Sequence, residues 1–238
     1  MKILRKIFKV FVSAFFPKTC VCCGKIISES DELCDYCHEM IYRCDPLKRC
    51  IKCGLEKKNC ECNKKVFCFD ALIAPFYNSG VAKDAMYKYK FRKHESNANF
   101  FAKQMAICVK NEYKNIHFDG ITYVPLSKRK KISRGFDQCE VLARKMSKIL
   151  DTQFLPNALS CKHKSTSQHD MSINEREKHV KGMYSYRYSN FGRTILLVDD
   201  IKTTGATLNE CAKQLLISGA DRVYCVTGLM SENKKKKV

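Results

Sequence analysis

No long apolar run is present in this chain of 238 residues. The one candidate, residues 1–16, is interrupted by Lys6 and Lys9, is too short to cross a bilayer and lacks a cleavage pattern. A transmembrane span and a secretion signal are therefore both disfavoured. Acidic residues are scarce, 24 against 44 Lys and Arg, which leaves a formal charge of +20. The Lys-bearing Walker loop and the three-Gly dinucleotide fingerprint are missing, so neither ATP hydrolysis nor NAD chemistry is favoured. His94, His117, His163, His169 and His179 have no ligand spacing. No internal repeat stands out.

Cysteine, by contrast, is abundant and unevenly placed. Of sixteen, eleven fall between Cys20 and Cys68. Paired Cys-x-x-Cys elements in a reducing cytoplasm point to zinc rather than to disulfides. Cys20, Cys23, Cys34 and Cys37 form two knuckles ten residues apart, with Cys22 spare. Cys50, Cys53, Cys60 and Cys62 form a second, less regular set, with Cys44 and Cys68 as substitutes. Four thiolates fill a tetrahedral sphere, so one or two structural zinc ions are expected, around which a region poor in apolar residues can fold. Gly24 and Gly54 follow the knuckles, where a positive φ is often required. Two such sites would lower the formal charge to about +16.

The segment from Ile195 to Thr207 carries the functional signal. Four apolar residues suit a buried strand, Asp199 and Asp200 stand where it should end, and Thr203, Thr204, Gly205, Ala206 and Thr207 lead into a helix. Ligands bind at the carboxyl ends of strands in open α/β sheets, and helix N-termini accept phosphate. Ionised carboxylates suit ribose hydroxyls, directly or through hydrated Mg²⁺, while hydroxyls and loop amides suit a phosphate. Neighbours on a strand point to opposite faces, so both acids can serve one ligand only if the backbone turns there. The site also requires carboxylates not consumed by ion pairs and a turn with room for an anion.

Elsewhere, residues 1–17 read as an amphipathic helix, 18–68 as a double zinc-knuckle module, 69–230 as an α/β domain and 231–238 as a basic disordered tail. The N-terminal stripe would lie on the domain or a partner, with peripheral membrane contact as the alternative. A strand over 69–77, helices over 79–89 and 98–113, and a strand over 120–124 precede a helix ending at Leu150. Strand 194–199, helix 206–218 and strand 222–229 close an alternating series, so a parallel sheet is expected. Basic loops are expected over 88–94 and 128–131, and a capping box at Ser172 and Glu175 opens a further helix. Tyr87, Tyr89 and Phe91 are aromatics that could stack bases; Tyr184, Tyr186 and Tyr188, at period two, suit a strand face packing inside. Most of Cys108, Cys139, Cys161, Cys211 and Cys225 should be small core residues.

The 195–207 segment resembles the phosphoribosyl pyrophosphate (PRPP) motif of type I phosphoribosyltransferases. Together with the knuckles, the Lys90-Phe-Arg92 stretch, residues 124–127, Arg134-Gly-Phe-Asp-Gln138, Thr166-x-Gln168 and Arg176, it makes the chain similar to the ComF family. That family joins an N-terminal zinc module to a type I phosphoribosyltransferase fold, and some members serve DNA uptake in natural competence. The resemblance implies that Asp199 and Asp200 contact the ribose, residues 203–207 the 5-phosphate, and Lys90, Arg92 and Lys93 the pyrophosphate with Mg²⁺. It places Arg134, Gln138, Gln168 and Arg176 on a hood or acceptor side. The implied activity is phosphoribosyl transfer from PRPP in the cytoplasm, with competence machinery as partner. The alternative is a single-stranded DNA-binding protein whose PRPP pocket is regulatory or inactive, since basic charge and Lys-rich segments suit phosphate. The chain departs from the family at Asp137, where Asn is usual, at His179, also an Asn position, and at Lys93, where Gly is common.

Overall fold

The computed structural model describes residues 17–60, 62–92, 94–162, 180, 182–186 and 193–231, with Arg92 described by its backbone alone. Outside the described residues lie the expected helix over 1–17 except Pro17, the capping box at Ser172 and Glu175, Tyr188, and the tail beyond Ser231.

A short helix, α1 (Asp35–Met40), belongs to the cysteine-rich region. There follow β1 (Ala71–Ile73), β2 (Phe76–Tyr77), α2 (Gly80–Arg92), α3 (Glu95–Glu112) and β3 (Gly120–Tyr123). Next are α4 (Lys128–Arg134), α5 (Gln138–Leu150), β4 (Leu159–Cys161) and β5 (Tyr184–Tyr186). The last three are β6 (Thr194–Lys202), α6 (Ala206–Ile217) and β7 (Arg222–Met230). The main sheet runs β1-β7-β6-β3, with β2 also on β7, and every pairing in it is parallel. Strands buried on both faces read as continuous apolar runs, as Ile195–Val198 and Val223–Val226 do. The strand expected over 69–77 is one edge line in two pieces: Ala71 faces Tyr224 and Phe76 faces Leu229 in the same register. Pro75, which has no N–H to give a ladder, marks the break.

Helix α3 buries Ala98, Phe101, Ala102, Met105 and Val109, the three-and-four spacing of one helical face. Helix α5 buries Cys139, Leu142, Ala143 and Met146 on the same side of the sheet; α6 covers the other side with Leu208, Cys211, Ala212 and Leu215. Two expectations are corrected here. The basic stretch 88–94 is helical through Arg92, because no Gly or Pro interrupts it after Gly80. Residues 128–131 also form a helix, capped by Ser127 Oγ accepting from Lys130 N and ended by Gly135 at φ +73°.

The cysteine-rich region closes the sheet edge at β1 and β2. Arg43 pairs with Phe76, Tyr77 N donates to Tyr42 O and Cys44 N to Pro75 O. Leu72 N donates to Ile51 O, and Arg49, 3% exposed, donates to Leu72 O while ion-pairing with Glu112. An edge that would otherwise invite another strand is thereby covered.

Candidate functional site

The two acids sit inside β6 rather than at its end, because the strand continues through Ile201 and Lys202. Leu196 and Val198 face the α3/α5 side, and Ile195 and Leu197 face the α6 side. Ile201 packs on the α3/α5 side again, so the alternation slips by one step across Asp199–Asp200. The neighbouring strand slips with it: Val226 and Leu229 share one side, with Gly228 between them. A Cβ at Gly228 would meet Asp200 O at 3.1 Å and Met86 Cε at 2.6 Å. This backbone turn brings both carboxylates toward the start of α5.

There Asp200 Oδ2 takes two donors, Gln138 Nε2 at 2.6 Å and Lys90 Nζ at 2.9 Å. Asp199 Oδ1 accepts from Asp200 N at 2.8 Å and from Cys139 Sγ at 3.4 Å. Burial, reinforced by the Asp200 carboxylate, pushes the Asp199 carboxyl up to about 7. Burial first, and then both acids, hold the Cys139 thiol well above its usual value, so it acts as a donor. Tyr89 OH donates to Gln138 O at 2.8 Å, fixing the first residue of α5 against α2. Gln138 is 2% exposed, and its Oε1 has no hydrogen-bond partner.

Asp137 explains how this corner is held. Its Oδ1 caps α5 by accepting from Cys139 N and Glu140 N, and its Oδ2 accepts from Leu126 N at 2.9 Å. A carboxylate serves both the helix and the 124–127 loop; an amide has one acceptor oxygen only.

The turn after β6 is open on one side. Thr203 is exposed, Thr204 and Thr207 are half-buried, and Thr204 Oγ1 accepts from Ala206 N at 3.2 Å. Gly205 sits at φ +83°, a left-handed conformation that favours Gly. Behind it stands Phe67, 3.6 Å from where a Cβ on Gly205 would be, and Cys68 N donates to Asn209 Oδ1 of α6.

The cysteines group as two tetrads, Cys20, Cys23, Cys34, Cys37 and Cys50, Cys53, Cys60, Cys62, the ligand sulfurs of each lying within 4.8 Å of one another. The separations Cys23–Cys34 and Cys50–Cys62 are 3.7 Å, and Cys53–Cys60 is 3.8 Å. A tetrahedron with Zn–S of about 2.3 Å has edges of about 3.8 Å, so both tetrads could hold zinc. Cys22, Cys44 and Cys68 stand outside them. Burial opposes it, but the amides of Cys23, Cys34 and Cys22 bring the Cys20 thiol down to about 6. Gly24 and Gly54 have φ of +85° and +74°, the left-handed turns expected after the knuckles. The first tetrad braces α2 and α3, since Lys88 Nζ donates to Cys22 O and Asn97 Nδ2 to Val21 O.

No family model matches the chain. Competence protein F of Haemophilus influenzae is 25% identical over 221 residues, 88% of this chain and 95% of that protein. Competence protein ComFC of Bacillus subtilis is 24% identical over 213 residues, 85% of this chain and 79% of that one. Over most of its length the chain is similar to these two competence proteins. DNA utilization protein YhgH of Escherichia coli K12 is 34% identical over 110 residues, 45% of this chain, a match that spans about half (48%) of that relative. Among solved structures, a Neisseria gonorrhoeae protein with bound ppGpp aligns at a TM-score of 0.37 and 14% identity, over 59% of this chain and 73% of that one. Adenine phosphoribosyltransferase from Leishmania tarentolae aligns at 0.34 and 12%, over 60% and 74%.

In this chain, Lys90, Gln138, Asp199 and Asp200 converge. Gln138, which the resemblance places on a hood or acceptor side, is buried and donates directly to Asp200. Arg134 is half-buried, its guanidinium over the Phe91 ring at 5.3 Å. Lys93, Gln168 and Arg176 lie outside the described residues, as does the Arg92 side chain. The requirement for unpaired carboxylates is not met by Asp200, which Lys90 holds in an ion pair. Cys139, expected only to fill core, is buried against Asp199, and Tyr89, expected to be free for stacking, is 1% exposed. Tyr184 is buried but Tyr186 is exposed. Cys211 and Cys225 are core residues as expected, and Cys108 and Cys161 are half-buried.

Proposed function

We propose that this chain is a PRPP-binding, phosphoribosyltransferase-like protein linked to DNA uptake, a reading supported by its likeness to proteins named for competence. The reading rests on one observation: two buried adjacent acids within reach of an open Thr-rich turn at a helix N-terminus. In it, the ribose hydroxyls meet Asp199 and Asp200, and the 5-phosphate lies against residues 203–207. Lys90 is the hinge of the chemistry. Its ammonium would leave Asp200 for the diphosphate, and the freed carboxylate would take the sugar hydroxyls, an exchange of one pair for two. Buried positioned charges of this kind favour the separation of a diphosphate leaving group from a cation-like sugar.

Mg²⁺, if bound here, would neutralise charge on the diphosphate. Asp199 and Asp200 are the residues to hold it, but Cys139 in the same cluster is a poor partner for a cation that prefers oxygen. The two tetrads are proposed as structural zinc sites, closed by four sulfurs and so without a position for substrate.

Calorimetric titration of PRPP with Mg²⁺ tests the reading. Wild-type protein should bind, and Asp199→Asn with Asp200→Asn should abolish binding. Unchanged affinity in the double variant ends the proposal.

A further inference from the structure

Helix α2 presents Lys83, Tyr87 and Phe91 at four-residue spacing, all exposed to solvent. Tyr87 is 63% and Phe91 57% exposed, large for aromatic side chains on a helix whose opposite face fills the core. Their rings touch in a tilted arrangement, with centroids 4.5 Å apart and planes inclined by 41°. Phe91 continues the series under the Arg134 guanidinium, whose Nη1 is buried and has no hydrogen-bond partner. Three planar groups thus form one ledge running from α2 to α4.

The ledge begins at a cavity. Cys22, Cys23, Val81, Asp84, Tyr87 and Lys88, among others, line a hollow of about 440 Å³ between the first cysteine tetrad and α2. At its far end, α4 exposes Lys128, Arg129 and Lys131 beside Ile132. Asp84 is the acidic residue in the lining, set against Lys83 and Lys88.

We infer that this ledge, from the Cys22–Tyr87 hollow along Tyr87 and Phe91 to Arg134 and α4, is a stacking platform for single-stranded nucleic acid. Exposed aromatic rings interleaved with cations suit unpaired bases on a polyanion, because every base offers a π-face and every nucleotide a phosphate. Duplex bases are already stacked on one another and cannot enter such a ledge. A flat lipid surface would leave the hollow unfilled. The inference rests on the DNA-uptake side of the proposed function and not on the PRPP pocket.

Fluorescence anisotropy with a labelled 20-nucleotide oligothymidylate, a duplex of equal length and the metal-loaded full chain tests it at two salt concentrations. Tyr87→Ala with Phe91→Ala should weaken single-strand binding about 10- to 100-fold. Tyr87→Phe with Phe91→Tyr should restore it, and Lys213→Gln, exposed on α6, should leave it within about twofold of wild type. The salt dependence of the aromatic variant should match the wild type, since no phosphate contact is removed. Both side chains are exposed, so truncation leaves no cavity; should the alanine pair lose metal, the Gln pair at the same positions serves. Equal binding by the alanine pair, equal affinity for duplex, or capture of the wild type by anionic vesicles in place of oligonucleotide overturns the inference. PRPP titration of the alanine pair keeps the two readings apart. Oligonucleotide binding without PRPP binding would sink the pocket and leave the ledge standing.

Discussion

Replacing Asp199 by Asn should make the protein more stable, and more so in alkali. Asp199 lies buried in β6, beside a second carboxylate, with a thiol and one amide as its recorded donors. Its carboxyl is raised from 3.8 to about 7. A raised acid stabilises the fold fully below its unfolded value, and that contribution is lost as pH rises through the folded value. The raised value therefore lowers the stability of the fold, relative to strongly acid solution, by about 2 kcal/mol at pH 5.5 and about 4 kcal/mol at pH 8.5. Asn carries no charge at either pH, so the variant's advantage should widen by about 2 kcal/mol between them. Urea unfolding of both proteins at the two pH values, followed by circular dichroism, reads the difference directly. An advantage that is constant or shrinks with pH would refute the buried-acid argument. It would mean that Asp199 finds compensation comparable to water.

Metal analysis of native protein should give two zinc ions per chain, and Cys34→Ser or Cys53→Ser should each remove one; a wild-type content near zero would dismiss both tetrads. Asp137→Ala should cost about 1–2 kcal/mol for the lost cap of α5 and about 1 kcal/mol more for the Leu126 N–H it strands. Asp137→Asn should keep the cap and lose the second contact alone. Equal urea midpoints for the Ala and Asn variants would contradict the two-oxygen role.

The parallel sheet and its helices were legible because Ile195–Val198 and Val223–Val226 are apolar without alternation, and because such strands alternate along the chain with helical stretches such as 98–113 and 206–218. The tetrads were legible from spacing alone, as thiolate pairs two or three positions apart can reach a common centre. Other features depended on contacts between distant residues. Nothing local to Lys90 shows that it would meet Asp200, or that Gln138 would share the same oxygen. The slip of phase at Asp199–Asp200 is invisible in β6 itself. It follows from Gly228 on the neighbouring strand, which leaves room for the Asp200 carbonyl. Basic clusters misled, because Lys and Arg suit helices as well as loops, and α2 and α4 keep them helical. Cys139 and Tyr89 looked like ordinary core and aromatic residues until their polar atoms were placed.

The change in composition near residue 68 does not coincide with a seam in the packing. Arg49 satisfies Leu72 O and Glu112, Gly54 lies against Met230, and Cys68 N is held by Asn209. A truncated chain starting there would inherit an orphaned glutamate, a bare strand flank and an unsupported turn beneath its threonines. The cysteine loops are thus best regarded as masonry of the sheet domain, and an engineer seeking a minimal version of this protein has little to remove.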